Sequence, residues 1–273
     1  MTEKITSAQN PKIKQLLALQ EKSRLRRETG LFIVEGRREL QHCIEAGFQI
    51  DTIFFCEELG GSGAESAAAG FAATAAKIFE ISGEVYRKVA YREGTEGVVA
   101  EVRAKERKLE DLKLKEEPLI VVLESVEKPG NLGAVLRSAD AAGADAVIVC
   151  DPLTDLYNPN LIRASIGAVF TVPCVACSSE EAIGWLKANG VQILTAQLQD
   201  SEWYYDTDMK RGSAIVIGTE ATGLTQAWRD AADAHVKIPM LGAMDSLNAS
   251  VSAAILLFEA VRQRNGGRRD DIV

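Results

Sequence analysis

The chain has 273 residues, 47% hydrophobic and 26% charged, with a formal net charge of −8. That length suits two domains, and the apolar content supports a core without disulfides or metals. The balance excludes a disordered chain and a collagen-like repeat, and the acidic total argues against a protein that coats nucleic acid non-specifically. No uninterrupted apolar run reaches membrane-spanning length, and the initial MTEKITSAQNPKIKQ lacks a signal-peptide core. Five cysteines, at 43, 56, 150, 174 and 177, point to free thiols in a reducing cytoplasm. His42 and His235 are the only histidines, too few for a histidine metal site, and no metal is expected.

Up to residue 27, seven Lys and Arg stand against Glu3 and Glu21, a net +5 that leaves −13 on the rest. Lys12, Lys14, Arg24, Arg26 and Arg27 in this head are candidates to face phosphate, although a solvated amphipathic helix explains them as well. Residues 10–27 space Ile13, Leu16, Leu17 and Leu25 along one helix face. LFIVEG (31–36) reads as a strand, RRELQHCIEAG as a helix ending at Gly47, and DTIFFC (51–56) as a strand. GGSGAESAAAGFAATAA begins as a Gly-rich loop and continues as an Ala-rich helix. KIFEIS, the short helix GEVYRKVA and GVVAEV complete an α/β unit by residue 104. Residues 105–117 are nearly all charged or Leu and read as a linker closed by Pro118.

From 118 strands and helices alternate regularly. PLIVVLESV, ADAVIVCD, TVPCVAC, VQILTAQL, SAIVIG and HVKIPM read as strands. NLGAVLRSADAAG, NPNLIRASIGA, SEEAIGWLKANG and the long SLNASVSAAILLFEAVRQR read as helices, and WYYDTDMKRG as irregular. Strands apolar throughout and separated by helices imply an α/β fold with a mostly parallel sheet covered on both faces. Ligands of such sheets sit outside the carboxyl ends of the strands.

The chain has no GxxxxGK[ST], no GxGxxG after a strand and no HExxH. Cys174-Val-Ala-Cys177 has CxxC spacing but lies in an apolar strand, where buried thiols are the better reading. Three strand-to-helix loops carry more. In ESVEKPGNLGAVLRSADAAG (124–143), Asn131 stands at a helix N-cap position. Arg137 lies off the apolar face of Leu132, Val135, Leu136 and Ala139, with a solvated Arg beside Asp140 as the plainer alternative. In IVIGTEATGL (215–224), Gly218 ends a strand where a ligand can approach the backbone, and Glu220 and Gly223 follow. In IPMLGAMDSLNASVSAA (238–254), Ser246 or Asn248 starts a helix; with Ser250 they exceed what one cap needs.

Together these pieces resemble the SpoU/TrmH branch of the SPOUT methyltransferases, which methylate RNA ribose 2′-hydroxyls with S-adenosylmethionine. The matching stretches are Asn131-Leu-Gly-Ala-Val-Leu-Arg137, Gly218-Thr-Glu220 with Gly223, and Ile238-Pro-Met-Leu-Gly242 with Ser246-Leu-Asn248 and Ser250, in the family's order and spacing. SAQNPKIKQLLALQ with LFIVEG resembles the substrate-binding domain fused to many members, a domain similar to certain ribosomal proteins. The resemblance implies a substrate domain at 1–104, the 105–117 linker and a transferase domain at 118–273 with a C-terminal trefoil knot. It also implies a homodimer in which each site borrows residues from the partner.

By the same resemblance Gly218, Ile238, Leu247, Thr195 and Met240 contact the cofactor. Arg137 holds the catalytic position, with Asn131 and Asn248 orienting it or the hydroxyl, Ser246 capping its loop, and Glu220 holding Arg137 or the loop. A guanidinium stays protonated, so the expected role of Arg137 is to clamp a phosphate, polarise the 2′-hydroxyl and stabilise the developing alkoxide. Arg163 and Ser165, with the tail arginines Arg262, Arg264, Arg268 and Arg269, join the basic head as expected RNA contacts. Ribosomal RNA is favoured over transfer RNA through the N-terminal domain. The alternatives are an inactive RNA-binding module of the same fold, a nucleotide-binding enzyme of small molecules, and a ribosomal methylase conferring antibiotic resistance.

Overall fold

The structure is a computed structural model that describes residues 3–60, 70, 75–91 and 96–266. It divides into two units, one holding Met1–Lys105 with Asp155–Thr171, the other Glu106–Thr154 with Val172–Val273. The grouping of 155–171 with the first unit differs from a boundary drawn once, at 105–117. The Gly-rich loop and Ala-rich helix read from the sequence fall largely outside the described residues, as do Arg268 and Arg269.

The first unit runs β1 (Glu3–Ile5), α1 (Pro11–Glu21), α2 (Ser23–Thr29), β2 (Leu31–Glu35), α3 (Arg37–Glu45), β3 (Ile50–Phe55), α4 (Glu57–Gly60), β4 (Ala75–Ile81), α5 (Gly83–Val89) and β5 (Val98–Arg103). Its sheet has the order β1-β4-β3-β5-β2. β4 pairs parallel with β1 and β3, while β5 pairs antiparallel with β3 and β2. Asn10 starts α1 by accepting from the Lys12 amide at 2.9 Å.

The basic head is two helices rather than one, because Lys22 takes an extended conformation between α1 and α2. The break exposes carbonyls at the end of α1, and Arg26 reaches back to them. Its Nη1 donates to Leu19 O at 2.6 Å and to Gln20 O at 3.1 Å, and its Nε pairs with Asp155 at 2.6 Å. Arg26 is 5% exposed, so the expectation that it contacts RNA is corrected: it is a structural arginine that closes a helix end. The buried face of α1 is Ile13, Leu16 and Leu19; Leu17 and Leu25 are only partly buried. Residues 155–171 include α6 (Pro159–Ser165) and α7 (Ala168–Thr171). Tyr157 stacks on Phe32 at 4.2 Å between ring centroids, and Phe170 packs edge-on against Phe48. Ser165 is buried and its hydroxyl donates to Ile162 O at 3.0 Å, which withdraws it from the RNA contacts expected of it.

The second unit carries β6 (Leu119–Glu124), α8 (Pro129–Ala141), β7 (Ala146–Cys150), β8 (Cys174–Cys177), α9 (Ser179–Ala188), β9 (Gln192–Ala196), β10 (Glu202–Trp203), β11 (Ser213–Ile217), α10 (Gln226–Ala231), β12 (Ala234–Lys237) and α11 (Ala249–Arg264). Its seven strands, in the order β10-β12-β9-β11-β6-β7-β8, are all parallel. β6, β7 and β11 are buried along their whole length, as strands covered on both faces must be. The charged stretch 105–117 is not a loose tether. A 3₁₀ turn at Leu109–Asp111 buries Leu109, and Leu112 and Leu114 pack against the sheet's core. Arg264 at the end of α11 donates to the carbonyls of Glu117, Pro118, Met209 and Arg211, and Arg262 pairs with Glu259 at 2.8 Å. Arg264 therefore pins a helix end rather than serving the nucleic-acid role expected of it. Cys43, Cys56, Cys150 and Cys174 are free and buried, and Cys177 is free and half-buried.

Candidate active site

A cavity of about 620 Å³ opens where the loops after β9, β11 and β12 meet the start of α11. Its walls come from residues 196–199, 217–224 with Arg229, and 236–238 with Met240 and 245–249, and from Ser252 and Leu256 of α11 behind them.

The loop after β11 owes its shape to two glycines. A Cβ on Gly218 would lie 2.3 Å from the backbone of Gly223 and 2.6 Å from that of Leu224. The glycine thus serves the loop's own close approach, a different reason from the ligand approach read in the sequence. Gly223 has φ +68°, and Thr219 and Gly223 exchange backbone hydrogen bonds at 3.2 and 3.0 Å. The turn so formed presents Glu220 outward.

Glu220 collects the rim. It accepts from Asn131 Nδ2 at 3.0 Å, Asn248 Nδ2 at 2.7 Å and the Ala249 amide at 3.4 Å, and pairs with Lys128 Nζ at 3.4 Å. Asn248 Nδ2 also donates to Asn131 Oδ1 at 3.2 Å. The Ala249 amide, then the Asn131 amide and Lys128, hold the Glu220 carboxyl below its usual range, so it stays ionised at neutral pH. One carboxylate thereby ties the first turns of α8 and α11 to the β11 loop. These sit 89 and 28 residues away in sequence.

Asn248 performs two tasks. Its Oδ1 caps α11 by accepting from the Ser250 amide at 3.0 Å, while its Nδ2 joins Glu220 and Asn131. Ser250 Oγ donates to the same Oδ1 at 2.6 Å. Ser246 does not share the cap: its hydroxyl donates to Asp245 at 3.1 Å. Asn131 is not the cap of α8 either, because the helix begins two residues earlier at Pro129 behind Lys128. Standing inside the first turn leaves its side chain free to reach Glu220.

Of the other residues singled out from the sequence, Gly218, Ile238, Met240 and Leu247 line the cavity. Thr195 does not. It is fully buried in β9, its hydroxyl hydrogen-bonded to His235 Nδ1 at 2.6 Å, and Ala196 lines the wall instead. Arg137 is exposed on α8 and has no hydrogen bond or ion pair among the described residues, so neither Glu220 nor either asparagine holds it. In the first unit, Lys12 pairs with Glu3 at 3.6 Å and lies over the Phe79 ring, and Arg24 pairs with Glu28 at 2.6 Å. Lys14 and Arg27 are exposed and unpaired among the described residues. Arg163 is exposed and sits 5.8 Å from the Tyr91 ring centroid.

Two residues escaped the sequence reading. Lys128 lies in the first of the three loops without matching any of its motif positions, and it completes the Glu220 cluster. Arg229 lines the cavity from α10 with its Nε buried and unpartnered among the described residues. No spacing rule singles out an arginine there. Among the described residues no cluster of His, Cys, Asp or Glu could hold a metal, and no helix is long and apolar enough to cross a membrane.

The model of the SpoU rRNA methylase family matches residues 118–258, and that of the MRM3-like substrate binding domain matches residues 10–100. The 23S rRNA (uridine(2479)-2′-O)-methyltransferase of Streptomyces viridochromogenes is 33% identical, over 97% of this chain and 94% of its own length. The 23S rRNA (guanosine(2553)-2′-O)-methyltransferase RlmP of Bacillus subtilis is 28% identical, over 93% of this chain and 97% of its own. Among solved structures, the AdoMet-bound rRNA methyltransferase from Sinorhizobium meliloti superimposes with a TM-score of 0.88 at 32% identity, covering 96% of this chain and 98% of that one. The SpoU methyltransferase AviRb from Streptomyces viridochromogenes in complex with AdoMet gives 0.86 at 30% identity, covering 94% and 100%.

Proposed function

Since this chain belongs to the SpoU rRNA methylase family, we propose that it transfers a methyl group from S-adenosylmethionine to a ribose 2′-hydroxyl of ribosomal RNA. The observation that carries this reading is the convergence of Asn131, Glu220 and Asn248 at the rim of one cavity, outside the ends of parallel strands.

The cavity suits the methyl donor. Its volume is in the range of cofactor sites, its walls mix apolar side chains such as Ile217, Ile238 and Leu247 with polar ones such as Gln197 and Asp245, and Arg229 offers a buried unpaired N–H. Gly218, Ile238, Met240 and Leu247 would hold the donor, which supplies a methyl group already activated on a sulfonium. The remaining work falls to the protein: placing a hydroxyl in line and easing loss of its proton. Glu220 is engaged four times over, so it shapes the rim rather than acting as a base. Arg137 is the unpaired cation of the α8 motif, suited to clamp an RNA phosphate and stabilise the alkoxide as it develops. Residues 1–104 form the substrate-binding part of this proposal, with Lys14 and Arg27 among its exposed cations, and 118–273 the transferase, of which the exposed Arg163 groups with the first unit.

A homodimer belongs to the same reading. Leu241, Met244, Val251 and Phe258 are 99, 70, 46 and 48% exposed along the loop after β12 and on α11, an apolar set that a second copy would cover. The knotted C-terminus is supported by α11, which packs on α8, β11 and β6 although it follows β12. A cytoplasmic location is supported by five free thiols.

Mass-spectrometric mapping of 2′-O-methyl groups in ribosomal and transfer RNA, from cells with and without the gene, tests the substrate. A single ribosomal site is expected to vanish with the gene. Arg137→Ala is expected to lower methyl transfer on the order of a hundredfold or more while calorimetric binding of S-adenosylmethionine survives. Near-normal turnover in that variant removes Arg137 from catalysis.

A further inference from the structure

β10, the last strand on the β12 edge of the seven-stranded sheet, opens a run of three consecutive aromatics that the cavity does not use, Trp203 at its end and Tyr204 and Tyr205 just after it. Trp203 is 40% exposed and Tyr205 47%, their rings 6.4 Å apart between centroids and inclined by only 21°. Tyr204 braces Tyr205 edge-on at 5.1 Å. Aromatics with this much face in water, roughly aligned and adjacent, are costly on a surface that does nothing with them.

Their position links them to the donor cavity. Trp203 is the register partner of Lys237, the Tyr204 amide donates to Lys237 O at 3.1 Å, and Lys237 Nζ lies 4.8 Å from the Trp203 ring centroid. Lys237 also lines the cavity. Beyond Tyr205 an open groove of about 500 Å³ continues the surface. It contains Asp206, Asp208, Lys210 and Arg262, the last already neutralised by Glu259, and the buried Thr207 Oγ1, which has no hydrogen-bond partner among the described residues.

We propose that Trp203 and Tyr205 form a stacking platform for unpaired RNA bases flanking the nucleotide whose ribose enters the cavity. The inference rests on the methyltransferase reading and adds where the neighbouring nucleotides go. The chemistry selects bases over phosphates. Ring faces accept any base, the exposed carboxylates of Asp206 and Asp208 can meet base-edge amines or ribose hydroxyls, and the acidic groups repel a phosphate track.

The test uses the full chain, a fluorescein-labelled mixed-sequence single-stranded RNA of 15 nucleotides, and anisotropy at 50 and 200 mM KCl. Trp203→Ala and Tyr205→Ala are each expected to weaken binding about tenfold, Trp203→Phe to restore most of it, and the salt slope to stay the same. Binding of S-adenosylmethionine by calorimetry should not change. In the unaltered protein, RNA should quench the part of the tryptophan emission that Trp203→Phe removes, a readout that survives even if an alanine variant fails to fold. Unchanged affinity and unquenched emission overturn the proposal. So does a flattened salt slope, which means a phosphate contact, or a loss of dimer mass by light scattering in the alanine variants, which means a protein interface. If the unaltered protein methylates RNA while the variants bind it normally, only the platform fails; if it neither binds the donor nor methylates RNA, the functional reading fails.

Discussion

Glu101 offers a quantitative test of the first unit. It lies in β5, is 4% exposed, and receives one long hydrogen bond, from Gln15 Nε2 at 3.4 Å, while its Oε1 has no partner among the described residues. Burial, then the nearby Asp51 carboxylate, pushes its carboxyl from the ordinary 4.5 up to about 7, with Lys77 opposing weakly. The folded chain therefore holds this proton to higher pH than the unfolded chain does, so stability falls as pH rises from about 4.5 and levels off above about 7. At 1.36 kcal/mol per pKa unit, the wild type loses about 2.5 kcal/mol through this group between pH 5 and 8. Glu101→Gln removes the charge and keeps the shape. Hydrogen exchange of the slowest β3 and β5 amides reads the first unit alone, which matters because a chain of two units need not unfold in one step. The variant and the wild type should be protected alike near pH 5, and the variant roughly seventyfold better at pH 8 after correction for intrinsic exchange. An equal advantage at both pH values, or a wild type better protected at pH 8, refutes the reasoning.

Arg26→Ala breaks a buried ion pair and strands two α1 carbonyls, so a loss of about 3–5 kcal/mol is expected from thermal or urea unfolding of the first unit. A variant of normal stability that binds RNA poorly would return Arg26 to the nucleic-acid surface. Neutralising Lys14 and Arg27 together should weaken RNA binding and lower the magnitude of its salt slope by about 2, whereas an unaltered slope shows that this face meets something else. Gly218→Ala forces a Cβ to within 2.6 Å of the Gly223 and Leu224 backbone, so calorimetric binding of S-adenosylmethionine should disappear with the sheet's circular dichroism intact; retained affinity would mean that the loop tolerates rearrangement.

What the sequence made legible follows from how far each cause reaches. β6, β7 and β11 are unbroken apolar runs because both faces of a parallel sheet are covered, and that signal is local. β1 and β10, three and two residues long with charged members, carry too little pattern to register. The break at Lys22 cannot be read from residues 10–27, since it is stabilised by a guanidinium whose partner is Asp155. Gly218 stood out correctly as a residue needing no side chain, but the close neighbour is its own loop, five residues on. Thr195 sits one residue short of the wall, a difference that strand pairing decides and spacing does not.

The rim cluster shows the same limit working in favour of function. Asn131, Glu220 and Asn248 each have an ordinary local explanation: a first-turn asparagine, a turn acid, a helix cap. The structure shows each of these, and it also brings the side-chain donors of both asparagines to one carboxylate. A fold needing only stable helices could cap α11 with Asn248 Oδ1 and leave its Nδ2 in water at little cost. Ordering three polar side chains on exposed loops, where each contact is worth little against the entropy of fixing it, is instead what positioning requires. The cluster sets where α8 begins relative to the cavity, and α8 is the helix that carries Arg137. Replacing Glu220 should therefore loosen the alignment of a cation it never touches, lowering turnover more than donor affinity.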